Sequence, residues 1–305
     1  MSARPLILIL GPTGTGKSEA AAGIARAVGG EIVSADAFAV YRGLDIGTAK
    51  PSPVLRAEIP HHLIDVAAPD EPYSAGRWAE AARRTITEIE ARGRIPIVAG
   101  GSHFYIRALI SGLPGEEVVF PAIRAHLASG WTEPVRRARK RMLDVLDPAY
   151  GARVPAADTA RLSRALEIVF STGRRVSERS LSIGGLADHR LLKLALQFPR
   201  QAIYTRVHRR VTAMWHSGWP REVEELLAAG VPVTAPAFRA IGYRELAARA
   251  AGQLSDDAAL ARILSRTKAL AKRQTTWLAS EQDLEYTDLD GAIRRALDFV
   301  FETAA

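Results

Sequence analysis

Eight residues near the N-terminus carry the most specific chemical signal in the chain. Gly11-Pro12-Thr13-Gly14-Thr15-Gly16-Lys17-Ser18 fits the pattern G-x-x-x-x-G-K-[ST]. Glycines at these spacings let the backbone turn its N–H groups inward around an anion. A helix beginning at residue 18 adds its positive N-terminal end. Lys17 supplies a point charge, and the Ser18 hydroxyl can ligate Mg²⁺. The loop directly follows an unbroken apolar run, residues 6–10, as expected of a strand buried on both faces of a parallel sheet. The expectation is a site for a diphosphate-bearing ligand. The pattern does not say which phosphorylated molecule binds.

A phosphate loop of this kind is usually accompanied by an Asp at the end of a second apolar strand, which holds Mg²⁺ in nucleotide hydrolases and kinases. The apolar run 95–99 ends in Gly100-Gly101 with no carboxylate. Asp36, just after residues 31–35, and Asp65, within residues 62–66, are the remaining strand-end candidates. A carboxylate at the carboxyl end of a strand lies beside the ligand crevice of an open α/β sheet. There it could hold a metal or act as a base. The adjacent pair His61-His62 invites a metal reading, but neighbours on a strand point to opposite faces, and a structural role is expected.

These residues must be positioned by alternating strands and helices. Strands are expected at 31–35, 62–66 and 95–99, with helices at 18–28, 73–92 and 102–110; the alternation implies a parallel α/β sheet. The pattern changes after Gly112: residues 113–188 read as helices and turns. A strand at 191–198 returns to the sheet, stopped by Pro199. Helices are expected at 202–217, 220–229, 243–251 and 256–280. The expected fold is therefore an α/β phosphate-loop NTPase-like parallel-sheet core with a helical insertion domain and a helical C-terminal part. Residues 1–112 and 189–305 form the core, and 113–188 the insertion.

The 305-residue chain contains no cysteine, which excludes disulfides and cysteine-based zinc sites and fits a reducing compartment. The N-terminal apolar run is too short for a signal-peptide core or a membrane span; a cytoplasmic protein with no membrane partner is expected. The net charge of +8 is uneven: +1 over residues 1–110, +4 over 111–190, +8 over 191–280 and −5 over 281–305. Positive charge away from the phosphate loop points to a second, polyanionic partner. The run Arg136-Arg137-Ala138-Arg139-Lys140-Arg141 is either a solvated helix face or an RNA-facing one. Among the tryptophans, Trp215 reads as helix core, while Trp277, beside Lys272-Arg273, could stack on a base.

Further along, several runs are more distinctive: Ser34-Ala35-Asp36, the segment from Tyr41 to Pro51 (YRGLDIGTAKP), Pro60-His61-His62-Leu63-Ile64-Asp65, Gly100-Gly101-Ser102 with Tyr105, Asp158 through Glu167 (DTARLSRALE), Ala240 through Glu245 (AIGYRE), and Ala271 through Trp277 (AKRQTTW). With the phosphate loop, they run through nearly the whole chain, and in them the sequence resembles the bacterial-type tRNA dimethylallyltransferases, or tRNA isopentenyltransferases. The resemblance implies transfer of a dimethylallyl group from dimethylallyl diphosphate to the exocyclic amine of the adenine 3′ of the anticodon, in tRNAs reading codons that begin with U. It implies that the loop residues Gly11, Pro12, Thr13, Gly14, Thr15, Gly16, Lys17 and Ser18 hold the diphosphate leaving group with Mg²⁺, and that Asp36 is the general base. This accounts for the missing second Asp, because no γ-phosphate is transferred. Segments matching those that touch tRNA in the family are Asp36, Ala37, Phe38 and Ala39; Ser102; Arg124; Ala160, Arg161, Leu162, Ser163 and Arg164; Arg239, Ala240, Ile241, Gly242, Tyr243 and Arg244; and Lys272, Arg273, Gln274, Thr275, Thr276, Trp277, Leu278 and Ala279. The implied partner is the anticodon stem-loop of tRNA, and a monomer is expected.

The chain departs from the family pattern at Ala37, where Ser is usual, at Ala39, often Gln, and at Ala157, usually Asn. Loss of the hydroxyl at 37 removes one hydrogen bond, worth ~1 kcal/mol. Two other readings of the phosphate loop compete: a small-molecule kinase, which leaves the basic C-terminal half without a role, and a non-catalytic RNA-binding protein switched by a nucleotide.

Overall fold

The computed structural model describes residues 3–113, 120–178 and 186–302. In chain order it begins with β1 (Arg4–Leu10), α1 (Lys17–Val28), β2 (Gly30–Ala35), α2 (Pro53–Glu58), β3 (His61–His62), α3 (Ala75–Ala91), β4 (Ile95–Gly100) and α4 (His103–Ser111). Four helices follow: α5 (Pro121–Ala128), α6 (Glu133–Leu146), α7 (Pro148–Gly151) and α8 (Thr159–Thr172). The chain continues with β5 (His189–Leu196), α9 (Arg200–His216), α10 (Trp219–Ala228), α11 (Tyr243–Ala250), α12 (Asp256–Leu278), β6 (Leu284–Thr287) and α13 (Leu289–Phe301). It divides into two compact units, one of Met1–Ile110 with Leu186–Ala305 and one of Ser111–Gly185. No helix among the described residues is long and apolar enough to cross a membrane.

The first unit holds a six-stranded sheet of order β3-β2-β4-β1-β5-β6 with every pairing parallel. The continuous apolar run of β1 is explained by its central place between β4 and β5: Leu6 to Leu10 are all buried. Ile7 and Ile9 face the small residues Ala20, Ala21 and Ala25 of α1 and Ala292 and Ala296 of α13. Small side chains on that face let the helices approach the sheet closely. Between β2 and β4 the backbones also approach closely: a Cβ at Gly100 would lie 2.2 Å from the Ala35 carbonyl oxygen. The chain leaving β1 goes to β2 on one side, whereas the strand after β4 is β5 on the other. The carboxyl ends of β1 and β4 therefore flank the switch point where open α/β sheets bind ligands.

Two expectations need correction. The strand expected at 62–66 is only His61–His62. Leu63 and Asp65 both take a left-handed φ of 60°, which ends extended structure at once. The C-terminal part is not all helical, because β6 extends the sheet by pairing with β5 at Lys193–Leu196. Its four residues, Leu-Glu-Tyr-Thr, are half exposed at the sheet edge and carry no apolar run. In the second unit, Leu127, Leu143, Val154, Leu162, Ala165 and Leu166 form a core of their own.

Replacing Gly100 with Ala forces a Cβ against the β2 backbone, which cannot yield as a side chain could. Gly100→Ala is expected to lower stability by about 1–3 kcal/mol, read as a reduced urea midpoint with an unchanged slope.

Candidate active site

The phosphate loop turns from β1 into α1 with Gly14 and Gly16 at φ of 87° and 88°, a conformation costly for any residue with a Cβ. Gly16 in this conformation is the N-cap of α1, so Lys17 and Ser18 open the helix. The Lys17 ammonium donates to the Pro12 carbonyl at 2.7 Å, and Thr15 Oγ1 donates to the same oxygen at 2.9 Å. Loss of hydration, and after it the neighbouring charge of Arg210, lower the Lys17 pKa to about 7 against the opposing charge of Asp36.

Asp36 sits just past β2. Its Oδ1 accepts the N–H groups of Phe38 at 2.8 Å and Ala39 at 3.2 Å, so the carboxylate is fixed by the turn it makes. Ser102 Oγ accepts the Ala37 N–H at 3.0 Å, tying this turn to the end of β4. Lys17, Ser18 and Asp36 line one cavity of about 360 Å³ together with Thr13, Gly100, Gly101 and the apolar Ile32, Ile64, Val211, Met214, Trp219 and Leu270. Asp36 is the one carboxylate among the residues lining it, against Lys17, Lys50, Arg210, Arg239, Arg266 and Arg273.

Arg210, on α9, has no family motif around it, and the sequence did not single it out. It stays accessible within the cavity, yet the surrounding protein lowers its pKa through loss of hydration, opposed by the Asp36 charge. Its signal is spatial only: α9 carries it to a loop almost two hundred residues earlier in the chain.

The segment 41–51 forms another wall. The Glu222 carboxylate accepts the N–H groups of Asp45, Ile46 and Gly47 at 2.8, 2.6 and 3.2 Å and the Tyr243 hydroxyl at 2.7 Å. Gly47 must be glycine, since a Cβ there would lie 2.1 Å from Trp219 Nε1. Lys50 donates to the Tyr41 carbonyl and to Asp45, each at 2.7 Å, and to Asp65 at 2.5 Å. Asp65 also accepts from Arg56 at 2.9 Å. Burial pushes its carboxyl pKa up, but the two cations win and hold it low. Asp65 is thus spent on bracing the wall, and Asp36 alone of the two candidates faces the cavity. His62 Nε2 is 2.7 Å from Glu31 Oε2, which also takes Arg92 at 2.7 Å, whereas His61, with Nδ1 2.7 Å from the Ile59 carbonyl oxygen, lines the cavity. Among the described residues, no group of three or more His, Asp or Glu could hold a metal ion.

The other residues of the sequence reading fall in several places. Arg239, Ala240 and Ile241 line the cavity, as do Arg273 and Gln274. Lys272, Thr275, Thr276, Ala279 and Arg244 are exposed on the same unit. The rings of Trp277 and His103 stack with centroids 4.5 Å apart. Tyr243, Ala39 and Leu278 are buried, and Gly242 packs on the Trp219 ring at φ 100°. Trp219 itself is buried, while Trp215 lies under Arg249. In the second unit, Glu167 accepts from Arg124 at 2.5 Å and Arg164 at 2.8 Å, and Arg161 pairs with Asp158 at 3.4 Å. Burial raises the Glu167 pKa, but the two guanidinium groups outweigh it and hold it low. Ser163 donates to the Leu127 carbonyl, and Leu162 is core. In the basic run, Arg139 is buried and donates to the carbonyls of His126, Leu127 and Ser129. Its role is to close the end of α5. Arg136 and Arg137 pair with Glu133, and Lys140 with Asp144.

Fold and site together define a phosphate-loop α/β protein whose anion cradle, after β1, shares one cavity with a carboxylate at the carboxyl end of β2, with β4 between the two strands. The family model for IPP transferase matches residues 39–281. A "tRNA dimethylallyltransferase 1" from Citrifermentans bemidjiense is 41% identical over 98% of this chain and 97% of its own length. A tRNA dimethylallyltransferase from Thermomicrobium roseum is 42% identical over 94% of this chain and 87% of its own. Among solved structures, the tRNA isopentenylpyrophosphate transferase of Bacillus halodurans superposes with a TM-score of 0.71 at 30% identity, covering 97% and 95% of the two chains. A eukaryotic dimethylallyltransferase studied acting on tRNA superposes at 0.79 with 25% identity, covering 94% of this chain and 74% of the other. The chain belongs to the IPP transferase family, the tRNA dimethylallyltransferases. The small-molecule kinase reading finds no support among these relatives.

A bound polyanion favours the charged form of Lys17, so its binding should draw in a proton when the empty loop is neutral. Calorimetry of magnesium diphosphate binding in two buffers of different ionisation enthalpy should show uptake of about one proton near pH 8, fading toward pH 6, where Lys17 is already charged. Binding heats independent of buffer at both pH values would contradict the lowered pKa.

Proposed function

We propose that this chain transfers a dimethylallyl group from dimethylallyl diphosphate to the exocyclic amine of the adenine 3′ of the anticodon, in tRNAs reading codons that begin with U. The observation that carries this reading is the single carboxylate, Asp36, set across one cavity from the phosphate loop. Such an arrangement suits a reaction that needs a proton acceptor on one side and an anion holder on the other.

The amine nitrogen attacks the first carbon of the dimethylallyl group, and the bond from that carbon to the diphosphate oxygen breaks. The electron pair leaves with the diphosphate, and the proton of the amine passes to Asp36. An aromatic amine is a weak nucleophile, so removing its proton as it attacks is the step a positioned carboxylate assists. Lys17, Arg210 and the loop N–H groups stabilise charge growing on the departing diphosphate. The apolar side chains Ile32, Ile64, Val211 and Met214 suit the hydrocarbon part of the donor and limit water. The Ser18 hydroxyl, in the first turn of α1 and lining the cavity, fits as a protein oxygen for Mg²⁺. This ion commonly takes few protein ligands alongside substrate phosphates; when bound it would neutralise charge on the leaving group.

An adenine in an RNA loop must leave its stack to enter such a cavity. Arg239, Arg273 and Lys272 are basic groups at or beside it, suited to the RNA phosphates. We assign Arg124, Arg161 and Arg164 of the second unit to the same partner, the anticodon stem-loop, with the helical segment as an RNA-contacting domain. Glu167 holds two of these guanidinium groups in place. Ser102 supports the turn at Ala37 from the adjacent carboxyl end of β4, so the alanine there leaves Asp36 held.

Two variants test the assignment. Asn at position 36 keeps an oxygen for the Phe38 and Ala39 N–H groups but cannot take a proton. Asp36→Asn should therefore fold normally, yet lower kcat by ~10²–10⁴, read as the one-prenyl mass gain of an anticodon stem-loop incubated with Mg²⁺ and dimethylallyl diphosphate. Wild-type protein that gives no mass gain, but moves phosphate from ATP to an acceptor, would refute the transferase. Arg210→Ala removes a charge without breaking an ion pair in the described structure, so it should leave the melting temperature intact. It should weaken magnesium diphosphate binding by about tenfold or more; unchanged affinity would remove Arg210 from the site.

A further inference from the structure

Gln274 stands among the basic residues of α12, between Lys272-Arg273 and Trp277, yet its amide is turned inward. Its Oε1 accepts the Thr13 N–H at 2.9 Å, and its Nε2 donates to the Gly101 carbonyl at 2.9 Å. Both ends of the side chain are therefore engaged with the two loops at the switch point, one after β1 and one after β4. The fit is close: a Cβ at Gly101 would lie 2.4 Å from Gln274 Nε2.

The Thr13 N–H belongs to the same peptide plane as the Pro12 carbonyl. That carbonyl takes the Lys17 ammonium at 2.7 Å and the Thr15 hydroxyl at 2.9 Å. One rigid peptide unit is thus gripped on its N–H side by Gln274 and on its C=O side by Lys17 and Thr15. If Gln274 lets go, this peptide can rotate. The N–H loses its only side-chain partner among the described residues, and the oxygen that places Lys17 moves with it. One turn further along α12, the Trp277 ring stacks on His103, two residues after Gly101. The stack clamps the same stretch of α12 against the same loop.

Resting on the diphosphate role of the loop, we infer that Gln274 is a positioning residue for the phosphate loop and acts on the donor side of the reaction, although it stands in the segment assigned to RNA. It sets the Pro12–Thr13 peptide and through it the place of Lys17. Its neighbour Lys272, exposed on the same helix, has the opposite assignment and acts on RNA alone.

The test compares Gln274→Met, which keeps the length but neither hydrogen bond, with Lys272→Ala. Binding of inorganic diphosphate with Mg²⁺, in the absence of RNA, and binding of an anticodon stem-loop, in the absence of diphosphate, are measured separately. For Gln274→Met, diphosphate affinity should fall about tenfold and RNA affinity stay within about twofold. For Lys272→Ala the pattern should reverse, with a shallower salt dependence of RNA binding. In turnover, Gln274→Met should raise the KM for dimethylallyl diphosphate and leave the KM for RNA unchanged. Weakened RNA binding with intact diphosphate binding would make Gln274 a direct RNA contact and overturn the inference. Equal loss of both would reduce it to a packing role, and no loss of either would make the two bonds idle. A wild-type protein that binds diphosphate but never prenylates RNA would defeat the transferase assignment without touching this result.

Discussion

The site is organised around an excess of positive charge in a crowded cavity. Lys17 and Arg210 both lose hydration there, and one carboxylate, Asp36, is their shared counter-charge. Charges taken out of water are costly unless matched, so the cavity is built for a ligand with more than one negative charge. Much of the surrounding structure keeps this arrangement from relaxing. Lys17 is tethered to the Pro12 carbonyl, Asp36 is tied to the N–H groups of its own turn, and Ser102 joins that turn to the end of β4. Two other cations of the cavity wall are matched by carboxylates outside it, Lys50 by Asp45 and Asp65 and Arg266 by Glu245.

The cavity needs walls as firm as its charges. A four-bond carboxylate, Glu222, holds the turn at 45–47, and Trp219 and Tyr243 fill the space behind Gly47 and Gly242. These residues come from α10 and α11, far along the chain from the loop they brace. The helices after β5 thus complete a site that the sheet begins.

Local chemistry was the legible part of the sequence. The central strands β1 and β4 announce themselves as apolar runs, and the phosphate loop as glycine spacing before Lys17-Ser18. Asp36 could be picked out because it ends a strand, though strand position alone leaves it level with Asp65 and only the family resemblance separates them. Left-handed backbone at Leu63 and Asp65 and the grip of Lys50 and Arg56 decide that question, and neither is a sequence pattern. Edge strand β6 escaped for a related reason: four half-exposed residues show no period. Arg210 and the inward turn of Gln274 depend on contacts across roughly two hundred residues or more, beyond the reach of any window. The basic run at 136–141 shows the reverse failure. Its spacing reads as one charged face, yet Arg139 is buried and caps α5, while its neighbours pair within their own helix.

If the phosphate loop holds a leaving group, bond cleavage occurs at carbon, with no phosphorus atom attacked. Dimethylallyl diphosphate carrying oxygen-18 at the bridging position, turned over with Mg²⁺ and an anticodon stem-loop, tests it directly. One prenyl group should appear on the RNA for each diphosphate released, with the label in the diphosphate. Label retained on the dimethylallyl carbon as an alcohol, or released orthophosphate in place of diphosphate, would contradict it.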